Sequence, residues 1–210
     1  MAGTAARLAE VPFQFIGGDP AIDFVNTVDW TSRGPEEERL TDFEGVVRWA
    51  EGAGILSAKA ARGIRALARA RPREAESAYR KALRVRVVLE GLFRAVAGGE
   101  PPANVLEEFN RELARALERM RVAPVGGKGR VSLQLGWDDE ESLDSVLWPV
   151  VWSAASLIVS EEASQIRICG GADCGWMYVD RSRNGFRRWC QMETCGTREK
   201  SRRRYARTKD

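Results

Sequence analysis

The chain reads as mainly α. A helical N-terminal domain with a small β-hairpin occupies residues 1–163, and a compact, treble-clef-like cysteine-rich module occupies 164–210. Three observations predict this division. Apolar residues recur at steps of three and four through most of the first 160 positions. All four cysteines fall between residues 169 and 195. The charge splits at the same place: residues 167–210 carry 12 Lys/Arg against 5 Asp/Glu, a net +7, while residues 1–166 carry 21 against 25, a net −4. A net charge of +3 over 210 residues therefore conceals an acidic body and a basic end that suits a polyanion.

The elements follow in order. Asp19-Pro20 is an N-cap followed by proline at the first helical position. Thr41-Asp42-Phe43-Glu44 reads as a capping box, followed by Val46, Val47, Trp49 and Ala50 and stopped at Gly52/Gly54. Ser57 caps the next helix, with Ala60, Ile64, Leu67 and Ala68 on one face. Ala78, Ala82, Val85, Leu89, Leu92 and Val96 form the most regular stripe, ended by Gly98-Gly99-Glu100-Pro101-Pro102. Leu106, Phe109, Leu113, Leu117 and Met120 make another. Residues 121–125 and 131–135 flank Gly126-Gly127-Lys128-Gly129, which predicts the body's β-hairpin. A last helix is expected from about Glu141 to Ala163, kinked at Pro149, leading through a short linker to the first cysteine.

The cysteines are spaced C-x4-C, fifteen residues, C-x4-C: Cys169, Cys174, Cys190 and Cys195. Two close pairs suit tetrahedral zinc, each tight loop supplying two thiolates. With no histidine in the chain, the expected site is one structural Zn2+ held by four cysteines, closed to substrate. Disulfides, a redox switch on the same thiols and unrelated free cysteines are the alternatives. Between the pairs, Trp176–Asp180 and Phe186–Cys190 flank Asn184-Gly185 and predict a hairpin turning there. Residues 197–207 predict a helix capped near Thr197. A core this small is expected to need its metal in order to fold, so loss of one cysteine should unfold the zinc finger and leave the body helical.

The same stretch is rich in arginine, whose planar fork suits phosphate oxygens and guanine edges. Arg183, Arg187 and Arg188 on the predicted hairpin, with Arg198, Lys200, Arg202, Arg203, Arg204 and Arg207 on the helix, are the candidate nucleic-acid contacts. A solubilising charged tail and an acidic protein partner are the competing readings. Trp176, Tyr178, Phe186 and Trp189 would either fill the finger's core or stack on single-stranded bases.

At Cys190-Gln191-Met192-Glu193-Thr194-Cys195-Gly196-Thr197-Arg198 the sequence resembles the CGNR zinc finger of bacterial proteins, within a longer similar stretch from Asn184 to Arg204. In that family the finger follows a helical domain named ABATE, a stress-induced transcription regulator by its family description. Phe15–Thr27, containing Asp23-Phe24-Val25-Asn26-Thr27, resembles that domain's opening. The resemblance implies zinc on the four cysteines and DNA binding by the finger. The family's name motif has Asn where this chain has Thr197, which is still able to cap a helix.

Asp19, Asp23, Asn26 and Asp29 form a polar cluster near the N-terminus, read either as capping and loop bonding or as a corner of a ligand pocket lined by Asp19, Asp23, Asn26 and Trp30. No phosphate loop, nucleophile elbow or imidazole chemistry is present, so an enzyme is not expected. Val146–Ala155 is the longest apolar run, broken by Pro149 and Ser153 and too short to span a bilayer. Residues 1–16 show no basic start followed by an apolar core, so a cytoplasmic location is expected. The expected protein is a zinc-containing DNA-binding regulator whose finger contacts duplex DNA and whose helical body senses a small-molecule effector or partner. A homodimer is expected if the operator is palindromic. An RNA-binding protein and a protein-interaction adaptor are the alternatives.

Overall fold

The computed structural model describes residues 12–31, 34–100, 104–125, 132–138 and 142–208. Asp19 caps α1 (Pro20–Val25) by accepting from the Ala21 amide at 2.8 Å, with Pro20 at the first helical position. Ala21, Ile22, Phe24 and Val25 are all fully buried, so this one-and-a-half-turn helix sits inside the body rather than on its surface. Around it pack the long α4 (Pro72–Val96) and α6 (Trp148–Ile158), with α2 (Phe43–Gly52), α3 (Ala58–Ala70) and α5 (Val105–Leu117) completing the helical body. Phe24 meets Trp49 of α2 with ring centroids 4.8 Å apart, at a tilted angle aromatic pairs favour. The stripe along α4 is buried as its spacing predicts at Ala78, Ala82, Val85, Leu89 and Leu92.

Several local expectations are corrected. Asp42, not Thr41, caps α2, accepting from Gly45 at 2.7 Å. The last body helix begins at Trp148 rather than Glu141. Leu143–Val146 forms a 3-10 turn instead, and Pro149 lies in the first turn of α6, where its missing N–H costs nothing, so it starts the helix rather than kinking it. The body also holds a second hairpin, β1 (Val28–Thr31) with β2 (Gly34–Glu38), absent from the sequence reading because its strands are short and polar. The predicted hairpin is present as β3 (Met120–Val125) and β4 (Ser132–Trp137), paired from Met120↔Trp137 to Val125↔Ser132. Its turn, Gly126–Val131, and the expected helix start at Glu141 lie outside the described residues.

The finger's hairpin is not the one the Asn-Gly pair suggested. β5 (Ile166–Ile168) pairs antiparallel with β6 (Met177–Val179), so the first cysteine loop is the turn of this hairpin. Asn184-Gly185 does turn, with Gly185 at φ +65 and its amide bonded to Ser182 O. The segment after it forms no strand. Asp180 is the cause: its carboxylate accepts from the Ser182 amide and hydroxyl and from the Arg187 amide, taking the place of a ladder partner.

Alternation along β6 makes it a wall shared by both parts of the molecule. Met177 and Val179 join Ile166 in the body's core, whereas Tyr178, on the opposite side, packs with Trp176, Cys169, Cys190 and Cys195. The last helix, α7 (Thr197–Arg207), leads away from the second cysteine loop.

Candidate metal centre and nucleic-acid interface

Each cysteine is presented by local backbone geometry. The Cys169 amide bonds to Trp176 O at 2.8 Å, closing the first loop, within which Asp173 takes a left-handed φ of 63. Gly171 lies against the sulfurs: a Cβ there would stand 3.2 Å from Cys195 Sγ and 3.5 Å from Cys169 Sγ, so any side chain would crowd the cysteine loop. Cys195 lies in a wide helical turn, Met192–Gly196, that runs directly into α7. Gly196 occupies the N-cap position of α7 without a side-chain cap. Thr197 is the first helical residue, and its hydroxyl donates back to Met192 O at 3.1 Å, so it is not the cap expected from the sequence.

The four sulfurs all lie within 4.8 Å of one another, with Cys190 3.9 Å from Cys174 and 3.6 Å from Cys195. A tetrahedral ion with Zn–S bonds of about 2.3 Å separates its sulfurs by about 3.8 Å, so these spacings fit. The chemistry of the donors fits as well. Hydrogen bonds from Cys174 and Cys190, with the Cys190 and Gly171 amides, hold the Cys169 thiol far below its usual range. Donation to Cys169 pushes Cys174 up to about 12 and Cys190 upward as well. Protons alone thus leave the cluster unevenly charged, and a divalent cation lets all four ionise. Cys169, Cys174, Cys190 and Cys195 are positioned to coordinate a single metal ion, in keeping with one structural zinc.

The Asp23-Phe24-Val25-Asn26-Thr27 stretch proves to be a docking element for this module. Asn26, 2% exposed, bonds both polar groups of the Met177 backbone: its Nδ2 donates to Met177 O at 2.8 Å and its Oδ1 accepts from Met177 N at 3.0 Å. Asp23 accepts from Gly17 N at 2.7 Å, and Gly17 O in turn accepts from Val179 N at 2.8 Å. Burial raises the Asp23 carboxyl to about 6, against the lowering effect of its backbone bonds. The Thr27 hydroxyl donates to Phe24 O and accepts from Arg86. Asp19 also accepts from the Ser153 hydroxyl at 2.8 Å, tying α1 to α6. Asp19, Asp23 and Asn26 are thus engaged within the chain. Trp30 belongs to β1 and pairs in register with Pro35; its side chain lies outside the described residues.

Two buried arginines, at positions the sequence offers no signal for, brace this contact. Arg39 forms a bidentate pair with Asp29 and lies 5.2 Å over the ring of Trp176, whose Nε1 donates to Val28 O at 3.1 Å. Arg86, on the buried side of α4, is gripped by both Glu38 carboxylate oxygens.

The candidate nucleic-acid contacts divide. Arg187 turns inward: its guanidinium lies 4.0 Å over the Tyr178 ring and donates to the carbonyls of Ile16, Trp189 and Cys190. It therefore serves the finger's packing rather than the basic surface. Arg181 likewise bonds Gly18 O and pairs with Glu162. Arg183, Arg188, Arg198, Lys200, Arg202, Arg203 and Arg204 are all exposed, with Arg202 and Arg203 sharing Glu199 at 3.2 Å. Arg207 is in α7, and its side chain lies outside the described residues. Trp176 and Tyr178 are core, whereas Phe186 is 80% exposed.

Among the described residues no helix is long and apolar enough to cross a membrane. The family model for ABATE, described as "putative stress-induced transcription regulator", matches residues 18–161, and that for the CGNR zinc finger matches 165–208. A search of curated proteins finds no significant match to the chain. The two family matches agree with the helical body and the four-cysteine centre, and the chain belongs to the ABATE family, with a CGNR zinc finger at its C-terminal end.

Proposed function

We propose that the protein is a cytoplasmic transcription regulator that binds duplex DNA through the outer surface of its zinc finger. One observation carries this reading. Along α7 every described side chain except Glu199 is exposed, and the helix bears six Lys/Arg against a single acid. A helix with no apolar face gains nothing from packing on its own protein. A one-signed basic helix gains by releasing counterions from a phosphate backbone. The proposed contacts are Arg183, Arg188, Arg198, Lys200, Arg202, Arg203, Arg204 and Arg207. The acidic body is repelled by the same backbone, which leaves the finger to make the contacts.

Sensing of a ligand or partner is assigned to the helical body. The support is mechanical: the body's α1 holds the finger through Asn26, and a shift of α1 would move Met177 and the cysteine loop with it. The test is a mobility-shift titration of the zinc-loaded protein against duplex DNA over a salt series. Binding should weaken steeply, with a log–log slope set by the phosphates neutralised. Absence of a shift at low salt with zinc intact would sink the reading. Selection from a random duplex pool would then report sequence preference, and a palindromic product would indicate a dimer.

A further inference from the structure

Beside the start of α7 lies an open groove of about 600 Å3, walled by Ile16, Phe186, Trp189 and Met192 and edged by Arg188 and Gln191. Two of its apolar side chains are left exposed, where a protein would ordinarily bury them. Phe186 is 80% exposed and Met192 42% exposed. The segment that supplies most of the groove carries no acid from Arg181 to Met192, and Arg183 and Arg188 are both exposed, Arg188 at the groove itself. Thr197 ties the first turn of α7 to Met192 O, which places the basic helix at the edge of the groove. Glu193 lines one end.

An apolar groove with an exposed arginine at its edge and a basic helix beside it suits an occupant that is flat and uncharged on its faces but attached to an anion. Nucleobases have this property, since each offers a π-face and hangs from a phosphate chain. A base inside a duplex has both faces covered by its neighbours, so only one released from its stack is able to enter. The volume is ample for a single base with its sugar.

Resting on the DNA-binding reading above, we propose that this groove takes one unpaired nucleobase of the bound nucleic acid, stacked against Phe186 and Trp189, with Arg188 on the adjoining phosphate. Gln191, whose Oε1 accepts from the Thr194 hydroxyl at 3.4 Å, offers its amide N–H donors to the base edge. The groove would add a preference for bulged, melted or single-stranded sites to a finger that binds duplex by charge.

The test uses the zinc-loaded full chain and three labelled probes at one salt concentration: a perfect duplex, the same duplex with a single-base bulge, and one strand alone. Fluorescence anisotropy reads the affinity. The expected result is about tenfold tighter binding to the bulged probe than to the perfect duplex, the stacking of one base. Phe186→Ala should abolish that preference while keeping duplex affinity and zinc content, and Phe186→Tyr should restore it. Phe186 is too exposed for its removal to unfold the finger. Equal affinity of the wild type for bulged and perfect duplex, or a preference that survives Phe186→Ala, would overturn the proposal and leave duplex binding standing. Failure to bind any probe would overturn the DNA-binding reading itself.

Discussion

Arg187 and Arg188 are neighbours in the chain and opposites in the structure. Arg187 lies over Tyr178 and donates to three carbonyls, while Arg188 stands in solvent at the edge of the groove. The same division runs through the whole finger. Its inner side, with Met177, Val179, Trp176 and Arg187, is built against the body, and its outer side, with Arg183, Phe186, Arg188 and α7, faces solvent. A stretch of uniform composition thus holds two kinds of arginine. One kind is worth stability and the other is available to a partner. Charge counting alone assigns both to the partner.

The sharpest way to break the inner side is to remove its metal. Cys190→Ser should abolish zinc binding and unfold the finger, a loss of several kcal/mol. Because Ile166, Met177 and Val179 complete the body's core, the body should also melt earlier, although its helices persist. Metal analysis with thermal circular dichroism checks both. An unchanged body transition would mean that the shared wall contributes nothing. Asn26→Ala cuts the contact without touching the zinc ligands. It leaves the Met177 N–H and C=O buried without their partner, at a cost of about 2–5 kcal/mol. Denaturant unfolding should show this loss, and limited proteolysis should cut the finger faster.

The legibility of this contact in the sequence was uneven. Zinc was readable because a tetrahedral site needs two close pairs of thiolates, a demand that is local and appears as spacing. Asp19-Pro20 and Ser57 were readable for the same reason, since a cap acts on amides two or three residues away. Asn26 stood out as part of a family-like stretch and as a candidate pocket residue, but its role in holding Met177 was hidden because that partner is 151 positions distant. Arg86 carried no signal at all: a charged residue on a buried helix face makes sense only once Glu38 and Thr27 are brought to it.

The arginine comparison itself is tested by paired substitutions. Arg187→Ala should cost about 2–3 kcal/mol of stability, since carbonyls of Ile16, Trp189 and Cys190 lose a charged donor. Arg188→Ala should leave stability within about 0.5 kcal/mol and lower the salt slope of DNA binding by about one. Equal effects of the two on melting would erase the distinction between inner and outer sides.

The smallest effect expected is on pH. Asp23 titrates near 6 in the folded chain against 3.8 for an unhindered aspartate. Between those values the folded state binds more protons than the unfolded one, so this carboxyl's contribution to stability falls as pH rises from about 4 to 6. Asp23→Asn keeps an acceptor for the Gly17 amide and should flatten that part of the stability–pH curve. A mutant curve parallel to that of the wild type would assign the slope to other groups.

By itself the sequence determined the four-cysteine cluster fit for one metal ion, the helical character of the body, the order of the two matched families and the concentration of positive charge at one end. These follow from spacing, periodicity and composition, each of which acts over a few residues. Only the tertiary structure decided which strand pairs with β6, what Asp23 and Asn26 hold, and which arginines turn inward. The physical reason is that a buried polar group must find its partner wherever the fold supplies one, and that partner is unrelated to it along the chain.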